Sequence, residues 1–156
     1  MGSNIGNRGK NLISAINALR NLCSTQVIQV SKIYETAPFE VPEQPNFLNC
    51  CVKLLTDLSP HELLGACLGI ETALGRIRES EYAPRIIDID LLLYEDEEIS
   101  SPNLILPHPQ IRRRAFVLLP LNDLYPQGTA MSFNFSNDFQ KVDSTGIVNV
   151  FVVGLN

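Results

Sequence analysis

The sequence has no surplus of positive charge: 12 lysines and arginines stand against 17 aspartates and glutamates, for a formal net charge of -5. That balance argues against a general nucleic-acid binder, which needs a basic surface to meet a phosphate backbone. No apolar run approaches the roughly 18 residues needed to cross a bilayer, and no signal-peptide pattern is present. The four cysteines, Cys23, Cys50, Cys51 and Cys67, include no C-x-x-C pair and mostly have apolar neighbours, so free buried thiols in a reducing compartment are expected rather than disulfides or a zinc site. Repeats and low-complexity tracts are also absent. These absences predict a soluble protein of the cytoplasm, or of an organellar matrix in a eukaryote. Its 156 residues suit a single domain spanning 1–156.

What is present is unevenly placed. Arg76, Arg78, Arg85, Arg112, Arg113 and Arg114 are six of the twelve basic residues, held in two short segments. That concentration suits a local anionic ligand better than a long polyanion. Leu12, Ala15, Ile16, Leu19 and Leu22 recur at helical spacing and predict a helix from about Lys10 to Leu22, after a glycine, serine and asparagine turn. Val27 to Ile33 and Phe47 to Leu55 read as strands, separated by a loop with prolines at 38, 42 and 45. Ser59, Pro60 and Glu62 form a capping-box start for a second helix ending near Gly75. Ile86 to Tyr94 is the clearest strand, and Gln110 to Leu121 predicts helical turns interrupted at Pro120. Beyond Pro126 the pattern weakens, with slight alternation at Ser132 to Ser136 and a β-branched run from Gly146 to Val153. This order of elements predicts an α+β sandwich.

The stretch YAPRIIDIDLLLY, residues 82–94, places Asp88 and Asp90 two apart, hence on one face of a strand. Two adjacent carboxylates repel unless a cation relieves them. Either they lie on a solvated face or they hold one or two hard cations. Arg76, Arg78 and Arg85 favour the second reading, because magnesium on paired carboxylates with guanidinium groups reaching phosphate oxygens is a recurring arrangement in phosphoryl transfer. His108, in LPHPQIRRR, is either a phosphate donor or an idle turn histidine. Of Arg112, Arg113 and Arg114, helical spacing turns one inward without saying which. Gly2, Ser3, Asn4 and Gly6 read equally as a phosphate cradle or a structural turn; no G-K-[ST] is present, so this is not a P-loop. Phe47 and Asn49 share a strand face and offer an aromatic platform beside an amide, with Phe116 as a second platform, although each phenylalanine alone reads as core.

These residues resemble the 6-hydroxymethyl-7,8-dihydropterin pyrophosphokinase family. GSNIG, S-x-x-Y-E-T-x-P from Ser31, QPNFLNCCV, IETALGRIRESEYAPRIIDIDLLLY and LPHPQIRRRAFVLLPL carry the likeness, from Gly2 to about Pro126. R-x-x-D-x-D between G-R-x-R and P-H-P is highly specific. The resemblance implies a ferredoxin-like α/β sandwich with an antiparallel sheet, and transfer of the terminal diphosphate of ATP to a reduced pterin in folate biosynthesis. By the same likeness, Asp88 and Asp90 hold two Mg2+ ions, and Arg76, Arg78 and Arg85 join them as catalytic residues. Glu71, Arg76, Arg85, His108 and Arg114 would meet ATP. Phe47 and Phe116 would stack the pterin, Asn49 would read its edge, and Thr36, Ala37 and Phe39 would assist. Arg78 and Tyr82 match a loop that covers the substrates; tryptophan is common in the family at the second position. Pro109 stands where some members have tyrosine. Fusion to, or association with, other folate-pathway enzymes is a further implication.

Family members have a strand just before G-S-N. Its absence here predicts either a longer chain or another segment in its place. IVNVFVVGLN, within the atypical segment 127–156, is the candidate, with Asn149 to Val153 expected to pair in the main sheet. A magnesium nuclease is disfavoured for want of more carboxylates and a basic track. The closer rival is a non-catalytic nucleotide- or pterin-binding descendant of the enzyme.

Overall fold

The computed structural model describes residues 1–38, 43–77 and 83–152. The chain begins with β1 (Gly2–Ser3), α1 (Arg8–Arg20), β2 (Thr25–Val30), β3 (Ile33–Thr36), β4 (Phe47–Asn49) and β5 (Val52–Thr56). It continues through α2 (Pro60–Ala73), a small hairpin of β6 (Ile99–Ser100) and β7 (Ile105–Leu106), and a 3-10 turn at Ile111–Arg113. The last elements are α3 (Ala115–Leu124), the hairpin β8 (Thr129–Ala130) and β9 (Phe133–Asn134), α4 (Ser136–Lys141) and β10 (Ile147–Phe151). The class is mixed α+β with antiparallel pairing throughout, as the order of patterns predicts.

The first two helices start where side chains satisfy their free amides. Asn7 accepts from the Lys10 amide at 3.0 Å before α1. Ser59 and Glu62 complete the predicted capping box of α2, with Glu62 Oε2 2.8 Å from the Ser59 amide. The expected interruption at Pro120 does not occur: α3 runs through it, with Pro120 buried. Proline removes a hydrogen bond there, but the strongly apolar face of α3 is held by the core, and tertiary burial outweighs that loss.

The long strands expected at 27–33 and 47–55 are each split in two. Ser31 causes the break. Its Oγ accepts the Cys51 amide at 2.9 Å while its own amide donates to the Cys51 carbonyl, so a side chain replaces a carbonyl in the ladder. β2 then pairs with β5, while β3 and β4 enter a four-stranded sheet in the order β1-β4-β3-β10. Cys50 and Cys51 point to opposite faces, as successive extended residues must. Cys50 joins a core of Leu12, Leu19, Ile33, Leu63, Cys67, Ile70, Ile87 and Ile89 with α1 and α2. Cys51 joins Ile111, Leu118, Leu121, Ala130 and Phe135 below α3. All four cysteines are free; Cys23 is exposed and the other three buried.

The segment Ile86 to Tyr94 is not the strand its composition predicts. Among the described residues it forms one bridge, Asp88 with Gly2. Further backbone groups find partners elsewhere: the Ile89 amide donates to Glu71 Oε1 at 2.7 Å, and the Leu92 carbonyl accepts from the His108 amide at 2.8 Å. β composition sets a preference, but a ladder exists only beside a second backbone. The expected pairing of the C-terminal run does occur, with Asn149 opposite Glu35, Val150 opposite Tyr34 and Phe151 opposite Ile33. Val153, the expected end, lies outside the described residues. β10 occupies the sheet edge opposite β1, so it does not lie beside residues 86–94 as a replacement strand would.

Candidate active site

The alternation expected around the aspartates survives the loss of the ladder. Ile87 and Ile89 are buried in the core, Asp88 is partly exposed and Asp90 exposed. Asp88 accepts from Arg76 Nη1 through Oδ1 at 2.5 Å and from Arg85 Nη1 through Oδ2 at 2.9 Å. Two guanidinium groups thus converge on one carboxylate. Arg76 also pairs with Glu71, 2% exposed, at 2.5 Å, so a buried carboxylate at the end of α2 holds both Arg76 and the Ile89 amide. Gly75, with φ at +91°, follows α2 and turns the chain into the arginine segment. Arg85 Nε is buried without a hydrogen-bond partner among the described residues.

His108 belongs to the same neighbourhood. The Gln110 amide donates to its Nδ1 at 3.2 Å, which leaves Nε2 as the protonated nitrogen of the neutral ring. Burial lowers its pKa, the fields of Asp90 and Asp88 oppose that, and Arg114 adds to it. The three consecutive arginines have different surroundings. Arg112 pairs with Asp138 and lies over the Phe133 ring, Arg113 is exposed, and the Arg114 guanidinium stands 5.5 Å from the Phe116 centroid.

The candidate organic-ligand residues gather on the adjoining sheet face. Thr36 is directly opposite Phe47, and Asn49 is opposite both Gly2 and Tyr34. Buried Asn49 donates from Nδ2 to Thr36 Oγ1 at 2.9 Å. A Cβ added at Gly2 would lie 2.7 Å from Asn49 Oδ1 and 3.7 Å from Phe47, so the glycine is required by close approach. Ala37 is exposed, with its amide donated to the Gly146 carbonyl at 2.9 Å. Phe39, Arg78 and Tyr82 lie outside the described residues.

The cradle reading of the first residues gives way to the structural one. The Gly2 and Asn4 amides already donate to the Asp88 and Arg85 carbonyls, at 2.9 and 3.1 Å. Asn4 has a further part that its sequence position does not reveal. Its Oδ1 accepts the Arg85 amide at 2.7 Å and its Nδ2 donates to Gln44 Oε1 at 2.9 Å, tying the arginine segment to the proline-rich loop. Arg8 is a second such residue, bound to Glu35 at 2.9 Å and to the Asn46 carbonyl at 2.7 Å. Neither set of partners is close in sequence, so no local pattern could have signalled it.

Clustered arginines around a partly exposed carboxylate pair, beside an aromatic and amide face, have the make-up of a phosphate-transferring enzyme. The family model of 7,8-dihydro-6-hydroxymethylpterin-pyrophosphokinase matches residues 1–126, and the chain belongs to that family. A 2-amino-4-hydroxy-6-hydroxymethyldihydropteridine pyrophosphokinase of Methylorubrum extorquens is 41% identical over 150 residues, covering 96% of this chain and 95% of the relative. A protein of the same name from Bacillus subtilis is 43% identical over 127 residues, 81% of this chain and 76% of its own. A mitochondrial folate synthesis bifunctional protein of Arabidopsis thaliana is 45% identical over 126 residues, 80% of this chain but 22% of that protein. No helix among the described residues is long and apolar enough to cross a membrane.

Proposed function

We propose that this site moves the β,γ-diphosphate of ATP to the hydroxymethyl group of 6-hydroxymethyl-7,8-dihydropterin, releasing AMP, as a step of folate biosynthesis. The observation that carries the reading is the convergence of Arg76 and Arg85 on Asp88, with Asp90 exposed beside them. The substrate oxygen forms a bond to the β-phosphorus while the bond from that phosphorus to the oxygen bridging the α-phosphate breaks. AMP leaves with the electron pair and the hydroxyl proton is released.

The donor set suits magnesium: two carboxylates supply hard oxygens, and substrate phosphates and water complete an octahedron. Asp88 and Asp90 would hold two Mg2+ ions, which when bound neutralise phosphate charge. The remaining work falls to the chain. Arg76 and Arg85 stabilise the charge that develops on the transferring group, and Arg85 Nε, without a partner among the described residues, is a donor for a phosphate oxygen. Glu71 holds Arg76 in place. His108, neutral with the proton on Nε2, and Arg114 meet the nucleotide. Phe47 and Phe116 stack the pterin, Asn49 reads its edge with an orientation set by Thr36, and Ala37 and Phe39 are assigned to the same substrate. Arg78 and Tyr82 are assigned to covering the substrates, which excludes water from the diphosphate. The same reading assigns the ferredoxin-like form of the α+β class, a cytoplasmic setting, and association with other folate enzymes. The sheet with helices on both faces supports the first of these assignments and the fused Arabidopsis relative the last.

The test is AMP release from ATP and magnesium with and without the reduced pterin. Pterin-dependent AMP is expected, and Asp88→Ala or Asp90→Ala should lower the rate about a hundredfold or more while the circular dichroism spectrum is kept. A folded wild-type chain that releases no AMP would indicate a non-catalytic binder instead.

A further inference from the structure

Ten residues, 37–46, separate β3 from β4, too many for a tight turn. A tight turn fixes strand register; a long loop holds it weakly, and strand ends next to such loops fray. Yet Thr36 and Phe47, assigned above to the pterin, are the terminal pair of that hairpin. Something other than the loop must hold them in register.

The C-terminal segment supplies the hold from one side. The Gly146 carbonyl accepts the Ala37 amide at 2.9 Å, one residue past the end of β3. Ile147 is paired with Thr36, and a bulge between Ile147 and Asn149 resets the register so that Asn149 faces Glu35. Asn149 Nδ2 then donates to Glu35 Oε2 at 2.8 Å. Glu35 passes the constraint across the strand: its Oε1 pairs with Arg8 Nη1 at 2.9 Å, and Arg8 Nη1 donates to the Asn46 carbonyl at 2.7 Å, next to Phe47. Glu35 lies on the sheet face opposite Thr36, because successive strand residues alternate. The chain Asn149–Glu35–Arg8–Asn46 therefore braces both strand ends from behind. The Glu35 carboxylate is held below its ordinary range, first by the Asn149 hydrogen bond and then by Arg8, so it stays an acceptor at neutral pH. The Methylorubrum relative, aligned over 96% of this chain, shares most of the segment beyond 126.

We infer that β10 is part of the substrate machinery: Asn149 is a positioning residue that, through Glu35 and Arg8, fixes Thr36 and Phe47 for an aromatic bicyclic substrate. This rests on the assignment of the pterin to that face. The experiment compares steady-state AMP release of the full chain with Asn149→Ala, Asn149→Gln and Glu35→Ala, varying pterin and ATP separately. Loss of one hydrogen bond in the brace should raise KM for the pterin about three- to tenfold, with kcat and KM for ATP within about twofold of wild type. Asn149→Gln, which keeps the amide donor, should recover most of the loss. Asn149→Ala added to Glu35→Ala should cause little further change, because the first acts through the second. Hydrogen exchange at the Ala37 amide should quicken in Asn149→Ala without a matching fall in global stability.

Unchanged pterin KM in Asn149→Ala, or equal rises for both substrates, would overturn the proposal. Phe47→Ala separates the two readings. If it leaves pterin KM unaltered, the assignment of the pterin to that face fails; if it raises KM while the Asn149 variants do not, the brace alone fails.

Discussion

Glu71 is a charged residue buried among the apolar positions of α2, 2% exposed. A carboxylate in that setting is tolerated only when its oxygens are satisfied, and it is: Arg76 supplies a counter-charge and Ile89 an amide. It thereby joins the end of α2 to the aspartate segment, and it orients the guanidinium that faces Asp88. Replacing it with alanine leaves the Ile89 amide unpaired and removes one carboxylate partner of Arg76. Glu71→Ala is expected to cost about 3 kcal/mol in urea unfolding, and Glu71→Gln less, because the amide oxygen still accepts from Ile89. The helical stripe of α2 was readable from Leu63, Cys67 and Ile70. The burial of Glu71 beside them was not, because its partners lie on a separate segment.

The elements carry their own lesson in Ser31. One hydroxyl, placed where the ladder needs a carbonyl, divides two long strands into four and lets β3 and β4 diverge into the sheet that carries Thr36, Phe47 and Asn49. Ser31→Ala would leave the buried Cys51 amide without its acceptor, a loss of about 1–3 kcal/mol measurable as a lower urea midpoint at unchanged m-value. Ser31→Thr keeps the hydroxyl and should cost less. The strand composition on either side was plain from Val27, Val30, Val52 and Leu54, whereas the break depends on a contact between residues 31 and 51. The residue types in the aspartate segment likewise predicted a strand, but among the described residues it makes one bridge, to Gly2, and bonds to Glu71 and His108.

Taken together, the two cores account for the behaviour of the thiols. Burial pushes Cys51 up to about 12 and Cys67 to about 11, and raises Cys50 as well. At pH 8 these three are protonated and covered, so a thiol reagent should modify one cysteine of the folded chain, exposed Cys23, and all four after denaturation. Mass spectrometry of the labelled protein checks this. The sign of the linkage follows from the same shifts. The unfolded thiols lose protons near their ordinary value of 9.0 while the folded ones retain them, so stability is full below pH 9 and falls as the pH rises towards 11 and 12. Urea midpoints measured from pH 8 to 10.5 should decline, and Cys67→Ala should decline less steeply.

Helix starts, the buried stripes of α1 and α2, and the cast of charged and aromatic residues at the site all follow from short-range patterns: a cap three residues from its amide, apolar side chains a turn apart, two aspartates two apart. Those interactions are local, so sequence order alone states them. The tie made by Asn4, the split at Ser31 and the seat of β10 beside β3 each join residues from about 20 to 114 positions apart. Such pairings depend on which backbone comes to lie beside which, and local preference carries no record of that.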